Sequence, residues 1–100
     1  MEENREAVAQ QPKSRKEEIH IEIKRFEENL RGKEVELTHA RRMFKDVFQG
    51  DRNNYKPKFG EGEAVRRFSK IIDQLEHEVK MINEHIGGLK DAFYSVHSNN

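Results

Sequence analysis

Five histidines and nineteen acidic side chains in a chain of one hundred residues raise metal and acid–base chemistry first. Glu17-x-x-His20 and Glu36-x-x-His39 each match the Glu-x-x-His element that di-iron carboxylate bundles project into their core. Both fall in one helical segment, nineteen residues apart, which is about 28 Å along a helix. One chain cannot bring them to a single cation, and neither lies on the apolar stripe described below. Asp73 and His77 share a helix face at i, i+4, but two ligands fall short of a closed site. The five histidines read as exposed polar positions, and no metal or cofactor is expected.

Nucleophilic chemistry fares no better. Cysteine is absent, which excludes disulfides, thiolate catalysis and Cys-type zinc sites. The serine hydroxyls at Ser14, Ser69, Ser95 and Ser98 assemble no nucleophile–base–orienter set. Gly60-Glu61-Gly62 is too short to be a phosphate-binding loop. The sequence therefore predicts a protein without catalytic residues.

Charge is the remaining resource. Arg41, Arg42, Lys45, Arg52, Lys56, Lys58, Arg66, Arg67 and Lys70 fall within residues 41–70 against four acids, a local balance of +5 in a chain of net charge zero. Tyr55 and Phe59 stand among them. Such a region suits an anionic partner, with aromatic rings to stack on bases. The competing reading is a solvated loop balanced by Asp46, Asp51, Glu61 and Glu63.

The elements that must position these residues follow from periodicity. Ser14-Arg15-Lys16-Glu17 matches S-x-x-E, a capping box, and predicts a helix from about residue 15. Ile19, Ile23, Phe26, Leu30, Leu37, Ala40, Phe44 and Val47 then alternate by four and three, with one slot taken by Lys33. Gly50 suits the left-handed position that ends a helix. Residues 51–60, with Asn53-Asn54, Pro57 and Gly60, break the pattern. A second helix is predicted from about 61, where Glu61 and Glu63 favour the positive end of its dipole. Val65, Phe68, Ile72, Leu75, Val79, Ile82, Ile86, Leu89, Phe93 and Val96 continue it without a gap. Gly87-Gly88 predicts a bend or a local 3₁₀ turn rather than a stop.

The predicted fold is therefore all-α: an antiparallel, coiled-coil-like two-helix hairpin over residues 14–97. Helix 1 spans about 15–49, a loop 50–60 and helix 2 about 61–97; residues 1–13 form a disordered tail closed by Pro12, and 98–100 a second tail. Pairing sets Val47 against Val65, Phe44 against Phe68, Leu37 against Leu75, Leu30 against Ile82, Phe26 against Ile86 and Ile19 against Phe93. Lys33 faces Val79, its amine within reach of Glu78 or solvent.

Composition then limits what a hairpin does alone. Only 33% of residues are apolar and 38% are charged, and two helices bury one stripe each. Ala64, Ile71 and Ala92 widen the second helix's apolar face, and Ile21, Val35, Met43 and Phe48 lie outside the seam of the first. The pattern suits a three- or four-helix bundle completed by a helical partner, a second copy or another chain. Phe26, Phe44, Phe68 and Phe93 are the expected seam anchors of that association, with Phe48 and Tyr94 as outward anchors. No apolar run reaches the roughly 20 residues needed to span a bilayer. The N-terminal MEENREAVAQQP has no apolar core of a signal peptide. A cytoplasmic location is expected, with signal-less export left open.

One resemblance follows. A Cys-free helical hairpin of this length, with Phe48-Gln49-Gly50 at the end of its first helix, resembles the W-x-G family of bacterial type VII secretion. It is similar also to the small helical accessory proteins of LXG-type toxins. Trp is absent, the loop is longer than that family's, and Leu89-Lys90-Asp91-Ala92-Phe93-Tyr94 forms neither Y-x-x-x-D/E nor F-x-x-x-D. The resemblance implies a helical partner or targeting factor for a secreted effector. Two functional expectations stand: a non-enzymatic helical adaptor or chaperone-like partner, and a nucleic-acid or other polyanion binder acting through the basic tip.

Overall fold

The computed structural model describes residues 14–98 and is an all-α hairpin of α1, Arg15–Phe48, and α2, Gly62–Ser98. The tail expected over residues 1–13 and the last two residues of the tail expected at 98–100 lie outside the described residues; Ser98 itself belongs to α2.

α1 starts where its capping sequence places it. Ser14 is extended (φ −63°, ψ 157°), and its Oγ accepts the Glu17 backbone N–H at 3.1 Å. This satisfies one of the four orphan donors of the first turn. The C-terminus departs from expectation. The left-handed residue is Gln49 (φ 56°, ψ 46°), whose N–H bonds the Lys45 carbonyl, not Gly50. Gly50 meets a different demand: a Cβ there would lie 2.7 Å from Tyr55 Cδ1. Its missing side chain makes room for the Tyr55 ring, and Gln49 takes the strained backbone instead.

The termination shifts the seam. Phe48 is buried at 5% exposure and Val47 is 54% exposed. The expected outward placement of Phe48 and the Val47–Val65 pairing are both corrected. After Phe44 the stripe steps by four to Phe48, because the larger ring fills the space beneath the loop. Phe44 and Ile72 are the two fully buried side chains among the described residues, at 0% and 1%. With Leu37, Phe48 and Val65 they form a core near the loop, flanked by half-buried Ala40, Tyr55, Phe68, Leu75 and Val79. Ile19, Ile23 and Ile86 are buried nearer the open end.

The expected Phe44–Phe68 pair is present, edge-on at 6.2 Å between ring centres. Lys33 reaches Glu78 at 3.3 Å and Glu36 at 3.8 Å. α2 stays α-helical through Gly87-Gly88, without the 3₁₀ turn anticipated there.

Candidate functional site

Burial along the seam is lopsided. In heptad lettering, Val65, Ile72, Val79, Ile86 and Phe93 take position a of α2, and Phe68, Leu75, Ile82, Leu89 and Val96 take d. Three of the five a residues are buried, whereas every d residue is only half-buried. α1 shows the same bias only toward the loop: at a, Ile23, Leu37 and Phe44 are buried and Leu30 is half-buried, while at d Ile19 is buried, Phe26, Lys33 and Ala40 are half-buried and Val47 is exposed.

Position d neighbours position g on a helix surface. The g residues here include Met43 (41% exposed), Ile71 (53%) and exposed Ala64. Position e, on the opposite flank, carries two cross-helix ion pairs and one buried ring. Arg41 pairs with Glu76 at 2.7 Å, Lys90 with Glu27 at 3.8 Å, and Phe48 is buried there. In the loop half of the hairpin the apolar seam is therefore more open on the g flank, which Lys33–Glu78 crosses at 3.3 Å farther along. Where Lys33 replaces an apolar side chain, a shallow hollow of about 310 Å³ lies between Lys33, Glu36, Ile71, Gln74, Leu75 and Glu78.

The loop end is built differently. Phe44, Phe48, Tyr55 and Phe68 form one ring cluster: Phe44 and Phe48 are 4.8 Å apart, and Tyr55 lies 5.6 Å and 5.5 Å from them. Phe68 meets Phe48 edge-on at 5.5 Å. Such edge and tilted contacts add to area burial. Tyr55 is thus an inward ring of the core, not the exposed stacking ring expected of the tip.

The Tyr55 hydroxyl donates to Glu61 Oε1, which also accepts the Lys58 backbone N–H at 2.9 Å. The hydrogen bond from Tyr55 holds the Glu61 carboxyl below its ordinary range, helped by the one from Lys58. The same bond raises the Tyr55 phenol. Glu61 N–H bonds the Lys58 carbonyl at 3.0 Å, and Gly60 sits at φ 84°. That is the left-handed third residue a type II turn requires. The turn presents Phe59, at 107% exposure, straight to solvent. Sequence patterning placed Phe59 in the basic region but not as an anchor; the Gly60 that follows it and the Tyr55–Glu61 spacing were the available signals.

Among the nine tip cations, Arg41 pairs with Glu76, Arg52 with Asp73 and Arg67 with Glu63. All three partners are acids of α2, Glu63 in its first turn and Asp73 and Glu76 farther along. Arg42, Lys45, Lys56, Lys58, Arg66 and Lys70 form no ion pair among the described residues.

The aromatic anchors separate by environment. Phe44 and Phe48 lie inside the hairpin. Phe26 is half-buried with His85 at 4.4 Å, and half-buried Phe93 has Lys16 Nζ 5.2 Å over its ring. Tyr94 is 62% exposed. Among the described residues no three His, Asp or Glu side chains converge on one point, and no helix is long and apolar enough to cross a membrane. No protein-family model matches the chain, and neither a curated protein nor a solved structure matches it.

Proposed function

We propose that the chain is a non-enzymatic helical adaptor or chaperone-like partner that completes a three- or four-helix bundle through its open flank. The carrying observation is the half-buried row Phe68, Leu75, Ile82, Leu89 and Val96, continued outward by Ile71, Ala64 and Met43. A helix laid along this row removes apolar surface that the hairpin alone leaves wet, at about 25 cal/mol per Å². The hollow beside Lys33 takes one large partner side chain. A second copy and a different helical chain both satisfy this geometry.

The experiment is Met43→Glu with Ile71→Glu. Both side chains are exposed, so helicity by circular dichroism is retained while association by sedimentation velocity, alone or with a co-expressed helical partner, is lost. Unchanged association would overturn the assignment. The resemblance carried by Phe48-Gln49-Gly50 supports, within this reading, an accessory or targeting role for a secreted effector; co-purification with such an effector tests it.

A second reading concerns the tip. Six cations that form no ion pair among the described residues and a fully exposed ring suit nucleic acid or another polyanion, with binding that weakens steeply as salt rises.

A further inference from the structure

We infer that the hairpin tip is an interfacial anchor for an anionic lipid surface, with Phe59 entering the bilayer interface and the surrounding lysines meeting lipid phosphates and carboxylates. This takes up the tip reading and is independent of the open flank.

Phe59 is a large apolar side chain that no side chain among the described residues covers. It is not left out by loose folding. The turn that carries it is latched on both sides, by Gly60 in the left-handed region and by Glu61 holding Lys58 N–H and the Tyr55 hydroxyl. Tyr55 is in turn locked against Phe44, Phe48 and the side-chain-free Gly50. The ordering entropy of the turn is therefore met before any partner arrives, which favours an exposed anchor.

The surroundings choose the surface. Lys56, Pro57 and Lys58 are exposed beside Phe59, and the cations nearby on α1 and α2 include Lys45, Arg66 and Lys70, none ion-paired among the described residues. Lysines with long stems set apolar carbon at the depth of the ring and amines at headgroup level. Each cation near an anionic leaflet adds attraction that salt screens. A fully exposed ring on a tight turn, with two exposed lysines within three residues of it, is a convex apolar apex in a region of net positive charge. A flat, deformable surface accepts a convex apex. Single-stranded nucleic acid is bound in grooves offering several stacking rings, and here Tyr55 is withdrawn into the core, leaving one ring.

The chain contains no tryptophan, so Phe59→Trp installs a unique reporter at the apex. Full-length protein is mixed with vesicles of phosphatidylcholine containing about a third phosphatidylserine, with pure phosphatidylcholine vesicles, and with a single-stranded oligonucleotide. The expected result is a blue shift of Trp emission and quenching by brominated acyl chains, confined to the anionic vesicles and suppressed by high salt. In vesicle co-sedimentation, Phe59→Ala lowers the partition coefficient by about tenfold with unchanged helicity, and Lys56→Glu with Lys58→Glu abolishes binding. Emission that stays red with anionic vesicles, equal binding by Phe59→Ala, or a shift produced by the oligonucleotide instead would each overturn the inference. The flank variants Met43→Glu and Ile71→Glu bind vesicles normally, so loss of helix association and loss of lipid binding are separable.

Discussion

At the scale of single residues, four aromatic rings and one carboxylate organise the loop end. Phe44 has no exposed surface and touches Phe48, Tyr55 and Phe68. Phe44→Ala should cost about 3–5 kcal/mol in chemical denaturation, whereas Phe59→Ala should change stability by less than about 0.5 kcal/mol. The Tyr55–Glu61 bond makes a pH prediction whose direction is fixed by its two shifts. The lowered Glu61 contributes stability that is present above its ordinary value of 4.5 and lost as pH falls through its folded value. The raised Tyr55 contributes stability present below 10.0 and lost as pH rises through its folded value. The latch is therefore intact across the neutral range and opens at both extremes. With Tyr94→Phe, Tyr55 is the one tyrosine left, and its ultraviolet phenolate titration should lie above that of free tyrosine. Glu61→Gln should return it toward the ordinary value; a titration identical in both proteins would remove the latch.

At the scale of elements, the two helices are marginal for different reasons. α1 carries Lys33 in its seam and ends on a strained Gln49. α2 carries Gly87 and Gly88, both exposed, with open space where a Cβ would stand. Ala at each should stabilise the hairpin by about 1 kcal/mol, read as a higher melting temperature with no change in the folded spectrum. Both helices, their polarity and the Ser14 cap were legible in the sequence, because a 3-4 apolar period and S-x-x-E are local signals. The Lys33–Glu78 contact was legible from register alone. The end of α1 was not. Periodicity treats Val47 and Phe48 as alternatives one residue apart, and only the ring cluster under the loop decides for Phe48. Gly50 has the look of a cap in sequence because Tyr55, its neighbour in space, stands five residues away. The flank asymmetry was hidden for a related reason: a seam written as ten equal positions does not reveal which row the partner helix covers.

At the scale of the whole molecule, two properties meet: a small core and an open side. Among the described residues two side chains are fully buried, Phe44 and Ile72, and the long d row of α2 stays half-wet. A lone hairpin with so little interior has little surplus over the entropy of ordering its chain. Any helix that binds the folded form and not the unfolded one therefore raises apparent stability by mass action. If the occupant is a second copy, the melting temperature rises with protein concentration. If it is another chain, the melting temperature is independent of concentration for the isolated protein and rises on titrating that chain. Met43→Glu with Ile71→Glu should abolish either dependence while leaving the monomer's own transition within about 0.5 kcal/mol of the parent, as surface substitutions do. The tip is insulated from this equilibrium. The latch of Tyr55, Lys58, Gly60 and Glu61 uses no flank side chain, and of the ring cluster only Phe68 also belongs to the flank row, so the Phe59 anchor is presented by the free and the assembled protein alike. Trp emission at position 59 in anionic vesicles should accordingly be the same for the parent and for the flank double variant.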